Sequence, residues 1–322
     1  MKLAVKWVPM HFNRSSALKL LATLLLLGSL GYFGRQLWGN LHLLPDIRWD
    51  IGSAIVLALS VAGTMATILL IGVMWLLLIR DQGVHISWRD ALQIVAVSQF
   101  GKYLPGNIGH FTGRALLAQR AGVPVGKTVA TMAIEIVWTL AISASLTLAA
   151  LLFLVHDFHE GLVDDAHPGY LLTLTLVLLL SPSVGIRTLN AMAPGISRKI
   201  GRGELVRSPS PATALAVAGL MVMCFAILGS ILKMQSSWLL GHDEIGWLEL
   251  TLLFTAAWTM GYVVPGTPGG LGVREAVMVK LLGPVVGVPV AIGLSISMRL
   301  TSMLGDALAF VLGWLLRRRK PQ

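Results

Sequence analysis

Long apolar segments separated by short charged loops occupy most of the chain. At 1.5 Å per residue, a helix of about 20 residues crosses the hydrocarbon core of a bilayer. Apolar segments near or above that length lie at 17–38, 51–79, 127–155, 170–186, 212–240 and 288–316. This pattern predicts an all-α polytopic membrane protein, a helical bundle with about six full spans.

Two further apolar segments, 88–123 and about 247–283, are interrupted by glycine and proline. The apolar pieces beside the interruptions are too short to span, and roughly ten to fourteen apolar residues suit a re-entrant segment. We therefore predict two re-entrant helical hairpins. The residues that break them are Pro105 and Gly106 in the first hairpin, and Pro265, Gly266, Pro268, Gly269 and Gly270 in the second.

The two interruptions are related in sequence. A shift of 160 positions pairs glycines, a proline and an arginine, five identities in fourteen positions, where chance predicts roughly one. The identical pairs are Gly101 with Gly261, Pro105 with Pro265, Gly106 with Gly266, Gly109 with Gly269 and Arg114 with Arg274. We therefore predict one integral membrane domain of two halves, 1–186 and 212–322, joined by a linker at 187–211. Span 170–186 alternatively belongs to the second half.

Composition and charge indicate how the chain is oriented in the membrane. The chain is 55% hydrophobic and 12% charged, with a mean hydropathy of +0.77, whereas soluble domains are about 25% charged. Its net charge of +10 is concentrated in 1–19, 187–207 and 317–320, and loop 156–167 is acidic. By the positive-inside rule, both termini and the linker are cytoplasmic, in the cytoplasmic (inner) membrane. The basic charge therefore needs no nucleic-acid partner. Because each half has three full spans, an odd number, the second half is inverted relative to the first. The two hairpins then enter from opposite faces of the membrane.

The interruptions also indicate a binding site. Gly/Pro-broken segments in corresponding places of two halves point to a transporter site, because non-helical backbone at membrane depth must line a cavity or lie within protein. A broken helix leaves amides that attract anions, and guanidinium groups bind phosphate. We predict a phosphate site formed by Arg114 and Arg274, with Lys102 contributing. The alternatives are arginines that reach the interface or pair locally, as Arg274 could with Glu275, and a headgroup contact for Lys102 at the hairpin mouth.

Charged residues inside full spans are costly and indicate function. Glu135 and Arg299 differ by 164 positions and so occupy related places in the two halves. We expect them to pair across the molecule, either as a structural ion pair or as a gate that substrate phosphate opens. Asp306 lies two turns after Arg299 on the same helix face. Asn107, His110 and Glu275 complete the predicted cavity, with His110 either a satisfied polar contact or a proton relay. The sequence predicts no catalytic motif, metal site or cofactor.

The hairpin sequences resemble those of a known family. Gly101-Lys102-Tyr103-Leu104-Pro105-Gly106-Asn107 with Gly113-Arg114, and Pro268-Gly269-Gly270-Leu271-Gly272-Val273-Arg274-Glu275, resemble the two signatures of the lysylphosphatidylglycerol synthase transmembrane-region, or flippase-like, family. Glu135 and Arg299 fall where that family tends to keep an acid and an arginine. The resemblance spans roughly 18–316 and implies a membrane protein that handles phosphate-bearing lipids. In bifunctional members, this region flips aminoacylated phosphatidylglycerol made by an attached synthase.

We expect a stand-alone member, because 322 residues leave no room for a synthase domain. Stand-alone relatives are associated with glycolipids, polyprenyl-phosphate-linked sugars and hopanoid-type lipids. The leading hypothesis is therefore a lipid flippase or transporter and not an enzyme, with a membrane lipid as substrate and a lipid- or glycolipid-synthesising enzyme as a candidate partner. One alternative is a membrane glycosyl- or phospho-transferase with a polyprenyl-phosphate donor, in which Glu135 or Asp306 is the base. The other is a scaffold for a lipid-modifying synthase.

Overall fold

The computed structural model describes residues 50–103, 109–158, 168–201, 203–264 and 267–316, and single residues at 35, 38 and 39. These residues form α-helices and no strand. Several predicted features lie outside the described residues: the span at 17–38, Pro105, Gly106, Asn107, Pro265, Gly266 and the basic terminus at 317–320. The all-helical prediction is confirmed for the part of the chain that is described.

Ten α-helices follow one another along this part of the chain. They are α1 (Ile51–Asp81), α2 (Trp88–Gln99), α3 (Gly109–Arg120), α4 (Val125–Phe158), α5 (Pro168–Met192), α6 (Pro194–Ile200), α7 (Pro211–Met234), α8 (Trp247–Val263), α9 (Val273–Val286) and α10 (Val288–Leu315). Short 3₁₀ turns follow α2 (Phe100–Tyr103) and precede α9 (Pro268–Gly270), and a π-helical turn (Gln235–Leu239) extends α7. Side-chain caps begin several of them: Asp50 accepts from the Ser53 amide, and Ser210 from the Thr213 amide.

Four of the helical segments are long and apolar enough to cross a membrane. They are Ile51–Asp81, Val125–Ala149, Pro211–Leu239 and Val288–Leu315. Each corresponds to a span predicted from the apolar pattern, and the predicted segment at 170–186 lies within α5. The chain therefore has the architecture of a helical membrane protein.

Both interrupted segments fold into pairs of packed helices. In the first pair, Gly101 lies against the Gly109 backbone and Gly113 lies against Ser98, so α3 runs back along α2. In the second pair, Gly261 of α8 lies against Arg274 of α9. Both interrupted segments thus form packed helix pairs, and the predicted re-entrant hairpins that enter from opposite membrane faces stay a prediction.

The backbone conformation of the second turn explains why it contains glycines. Gly269, Gly270 and Gly272 have φ angles of 56°, 73° and 85°, in the left-handed region that residues with a Cβ seldom adopt. This run reverses the chain between α8 and α9 within a few residues. It also presents the Gly269 carbonyl to α10, where Arg299 binds it.

The helix order in the first half recurs in the second. Helices α1, α2, α3 and α4 begin at 51, 88, 109 and 125, and α7 to α10 begin at 211, 247, 273 and 288, offsets of 159 to 164. The contacts are reciprocal: α2 packs against α10, α8 packs against α4, and α1 packs against α7. A two-fold relation between the halves requires this exchange of partners.

Two apolar clusters pack the long helices around the hairpins. One cluster packs α7, α8, α9 and α10 together around Phe254 and Leu294, and another packs α1, α4 and α7 around Trp138. Helices α1 and α10 approach closely where Gly305 meets Thr64. The long helices therefore pack against both hairpins, as the prediction of backbone breaks within a membrane domain requires.

Candidate functional site

A cavity of about 210 Å³ lies between the two hairpins. It is lined by side chains or backbone of both hairpins together with α1, α4, α7, α8 and α10. The predicted site residues that line it are Lys102, His110, Arg114, Glu135, Gly269, Gly270, Arg274, Arg299 and Asp306. Glu275 contacts two of them, and Pro268 begins the 3₁₀ turn at its edge. The fold thus gathers residues that are 197 positions apart, from Lys102 to Arg299, into one polar site.

Arg114 and Glu135 form a buried ion pair. Arg114 Nη1 donates to Glu135 Oε2 at 2.5 Å, and the two side chains are 1% and 16% exposed. The prediction that Glu135 pairs with Arg299 is therefore wrong. The physical reason is local: α4 follows α3 directly and packs on it, so the nearest opposite charge to Glu135 is on the hairpin of its own half.

Arg299 likewise contacts residues of its own half of the chain. Its Nη1 donates to the Gly269 carbonyl at 2.9 Å and lies 3.3 Å from Glu275 Oε1. The same oxygen lies 3.4 Å from Arg274 Nη2, so the local Arg274–Glu275 contact is present. One carboxylate is thus shared by two guanidinium groups. The second Glu275 oxygen accepts from the Gly272 amide at 2.7 Å, which means that this amide at the start of α9 is not free for an anion, contrary to expectation.

A third carboxylate joins the two halves. Asp306 on α10 is 1% exposed, and its Oδ2 lies 2.6 Å from Lys102 Nζ at the end of the first hairpin helix. The Tyr103 hydroxyl donates to the same oxygen. The Tyr103 ring also lies 5.4 Å from Lys102 Nζ and 5.9 Å from the Arg299 guanidinium carbon. Lys102 and Tyr103 therefore tie the first hairpin to α10 of the second half.

Several buried polar atoms at the cavity have no hydrogen-bond partner among the described residues. They are Asp306 Oδ1, Arg114 Nε and His110 Nδ1. Buried polar atoms in native proteins are nearly always bonded to protein, water or ligand. These atoms are themselves buried, and His110 Nδ1 is accordingly not a satisfied polar contact among the described residues.

Aromatic residues form part of the wall and were not predicted. Trp258 and Tyr262 on α8 stack with ring centroids 4.9 Å apart, and Phe225 on α7 packs edge-on against Trp258 at 5.3 Å. Tyr103 was missed as well, although it lies inside the first hairpin signature. The i, i+4 spacing of Trp258 and Tyr262 immediately before the glycine-rich turn was the available signal. Aromatic residues in an apolar helix are common, so the spacing alone did not single them out.

Within the described ranges, no group of three or more His, Cys, Asp or Glu side chains is placed to hold a metal ion. The cavity chemistry is instead that of cations and carboxylates. Lys102, Arg114, Arg274 and Arg299 carry four positive charges, and Glu135, Glu275 and Asp306 carry three negative charges. The described side chains at the cavity therefore carry a net charge of +1.

Comparison with known protein families gives one match. Residues 16–309 match the family described as "Lysylphosphatidylglycerol synthase TM region". The match covers both hairpins and every helix that lines the cavity. No curated protein matches the chain.

Proposed function

Because the chain belongs to the lysylphosphatidylglycerol synthase TM region family, we propose that it moves a lipid with a phosphate-bearing headgroup across the cytoplasmic membrane. One observation carries the proposal: the two hairpins, α4 and α10 bring four cations and three carboxylates to one cavity. The headgroup enters this cavity, and the acyl or prenyl chains stay in the bilayer. The family match supports lipid handling, and the charge excess supports a phosphate.

The second hairpin is the better candidate for the phosphate-binding site. Arg274 and Arg299 share the single Glu275 oxygen at 3.3–3.4 Å, which is longer than the roughly 2.7–2.9 Å of a strong charge-assisted bond. The Arg274 side chain is 11% exposed and lines the cavity. A phosphate oxygen that approaches Arg274 therefore displaces only one long contact. By contrast, Arg114 already holds Glu135 at 2.5 Å.

The ion pairs also suggest how the site opens. The Arg114–Glu135 and Arg299–Glu275 contacts lie within one half each, whereas the Lys102–Asp306 contact joins the halves. In a rocking movement of two repeats around a central site, contacts within a half persist and contacts between halves break. Headgroup phosphate competes with Asp306 for Lys102, so binding of the lipid favours separation of the halves.

Transport in proteoliposomes tests the proposal. The purified protein is reconstituted with labelled phospholipids and polyprenyl-phosphate lipids, and lipid movement between leaflets is measured for wild type and Arg274→Ala. We expect wild type to move at least one lipid class and Arg274→Ala to lower that rate at least ten-fold. A lost charged contact of about 1.4 kcal/mol corresponds to that factor.

Matched variants separate a local effect from misfolding. Lys280→Ala removes an exposed cation from the same helix as Arg274, and Arg120→Ala does so on the helix of Arg114. Both controls should transport at the wild-type rate. Failure of wild type to move any lipid contradicts the proposal. If the protein converts a labelled polyprenyl-phosphate donor under the same conditions, the transferase alternative is supported. If transport-inactive protein still binds a synthase, the scaffold alternative is supported.

A further inference from the structure

Outside the cavity, the segment around the end of α5 and α6 exposes apolar and basic side chains together. Met192 and Ile196 are 82% and 56% exposed, and three cations near them are exposed as well: Arg187, Arg198 and Lys199. We call these five residues the linker surface, because all of them lie in the linker predicted between the halves. We propose that the linker surface binds the adjacent membrane leaflet, with its apolar side chains in the interface and its cations on the phosphates of anionic lipids.

Hydrogen bonds fix the side of α6 that faces outward. Ser197 is fully buried; its hydroxyl donates to Asn190 Oδ1 on α5 at 2.5 Å and accepts from the Val206 amide at 3.0 Å. Asn190 Nδ2 donates to the Val206 carbonyl at 2.8 Å. Successive helical side chains are rotated by about 100°, so the neighbours of Ser197, Ile196 and Arg198, point away from this buried contact and are exposed. The linker surface is therefore held in place by the fold.

Helix α1 relates the linker surface to the membrane. At the start of α1, a Cβ on Gly52 would lie 3.9 Å from the ring of the exposed Trp238, and tryptophan is enriched at membrane interfaces. After its end, the Gln82 side-chain amide donates to the Arg207 carbonyl at 2.9 Å and accepts from the Arg207 amide at 3.3 Å. The 31 residues of α1 extend about 45 Å, the thickness of a bilayer with its headgroups. The linker therefore lies at the headgroup level opposite Trp238.

The charge of the linker is complementary to an anionic leaflet. Glu204 is the only acid in residues 187–207, against five basic residues: Arg187, Arg198, Lys199, Arg202 and Arg207. Glu204 lies 3.8 Å from Lys127 Nζ at the start of α4, so its partner is a cation outside the linker surface. Lysine and arginine within a Debye length of a membrane are attracted to its anionic lipids. The exposed cations of the linker surface therefore favour anionic over zwitterionic headgroups.

The apolar side chains favour a membrane over an acidic protein as the partner. Met192 is the last residue of α5, which contains the predicted span at 170–186, so the chain passes from that span to the linker surface within two helical turns. Basic residues mixed with exposed apolar ones are typical of segments that lie in the interface. A lipid leaflet accepts both kinds of side chain, and it is next to the linker surface in any membrane that α5 spans.

A fluorescent label at position 196 tests the proposal. Ile196→Cys, in a chain that also carries Cys224→Ala, is labelled with NBD and reconstituted in phosphatidylcholine vesicles. Phosphatidylglycerol or phosphatidylcholine with a nitroxide at the same acyl carbon is then added in increasing amounts. We expect phosphatidylglycerol to reach half-maximal quenching at an about five-fold lower mole fraction, the factor that corresponds to about 1 kcal/mol near an anionic surface. The ratio of the two mole fractions reports the headgroup preference, because the quenching groups are identical.

Paired substitutions show whether the preference is local. Arg198→Gln with Lys199→Gln should lower the ratio from about five to about two or less. Arg89→Gln with Arg120→Gln removes two exposed cations from the first pair of helices, with the same change in net charge, and should leave the ratio unchanged. In 1 M salt the ratio should also fall for the unsubstituted linker surface, because the Debye length is then about 3 Å.

Two results would overturn the proposal. Equal mole fractions for the two lipids would mean that the linker surface does not select anionic headgroups, and an equal fall of the ratio in both double variants would mean that the charge of the whole molecule is sufficient. Absence of quenching by either lipid would place the label in water, as expected if a protein partner covers this surface, and would equally overturn it. The label reports contact with lipid and not transport, so the outcome is independent of the function proposed for the cavity.

Discussion

At the scale of single residues, the two halves build the same ion pair with opposite polarity. Glu135 on α4 binds Arg114 of the first hairpin, whereas Arg299, at the related position on α10, contacts Glu275 of the second. In each half, a charged side chain on the long helix holds the hairpin that precedes it. In the second half the hairpin supplies the acid, and Arg274 and Arg299 share it.

Breaking the first of these pairs should destabilise the protein. Arg114→Met and Glu135→Gln each leave the other charge buried, which costs roughly 3–5 kcal/mol of unfolding free energy. The double substitution should cost less than the sum of the two, because it leaves no unpaired charge. Unfolding in mixed micelles with increasing SDS measures all four proteins of this cycle. Additive losses would contradict a direct pair and indicate that Arg114 and Glu135 are held by other contacts.

At the scale of elements, glycine decides how closely the hairpin helices approach. A Cβ on Gly101 would lie 2.6 Å from the Gly109 carbonyl carbon, and one on Gly261 would lie 2.8 Å from the Arg274 Cβ. These glycines occupy equivalent positions in the sequence repeat, 160 residues apart. The repeat therefore preserves a packing contact at the end of each first hairpin helix, next to the residues that line the cavity.

Alanine at either glycine should separate the hairpin helices. We expect Gly101→Ala and Gly261→Ala to lower the unfolding free energy by roughly 1–3 kcal/mol, the range for overpacking. Gly219→Ala on α7 meets nothing within 4 Å and should be neutral or stabilising by up to about 1 kcal/mol, from its helix propensity. Thermal unfolding in detergent compares the three. Equal melting temperatures for all three variants would mean that the hairpins tolerate a wider spacing.

The sequence predicted these elements better than it predicted their contacts. The Gly/Pro breaks and apolar lengths placed the first hairpin at 88–123, and α2 and α3 lie at 88–99 and 109–120. The Glu135–Arg299 pair was wrong because partner choice depends on helix rotation, and one residue turns a side chain by about 100°. Tyr103 was missed for a related reason. Its hydroxyl meets Asp306 203 positions away, a contact that only the packing of α10 against the first hairpin creates.

At the scale of the whole molecule, the cavity lies where the two halves meet. Helix α10 packs against α1, α2 and α9, and its Asp306 pairs with Lys102 at the end of the first hairpin helix. The proposed transport requires the halves to move relative to each other while each hairpin keeps its own contacts. Contacts between α2 and α10 must therefore change during transport, and contacts between α2 and α3 must persist.

A reversible cross-link measures this directly. A Cβ on Gly313 of α10 would lie 3.0 Å from the Ala96 Cβ on α2, and one on Gly113 of α3 would lie 3.6 Å from the Ser98 Cβ, also on α2. Disulfides form at Cβ separations of roughly 3.5–4.5 Å, so the second pair fits as it stands and the first forms once α2 and α10 shift apart by about 0.5 Å. Cysteine pairs at both places, in a chain whose single native cysteine is replaced by Cys224→Ala, give one bond between halves and one within a hairpin.

Lipid transport of both variants is then measured in proteoliposomes, oxidised and after reduction. The account predicts that the Ala96→Cys/Gly313→Cys bond lowers transport at least ten-fold, that reduction restores it, and that the Ser98→Cys/Gly113→Cys bond has little effect. Undiminished transport with the bond between the halves fully formed would contradict the account, because the lipid would then cross without separation of the two halves.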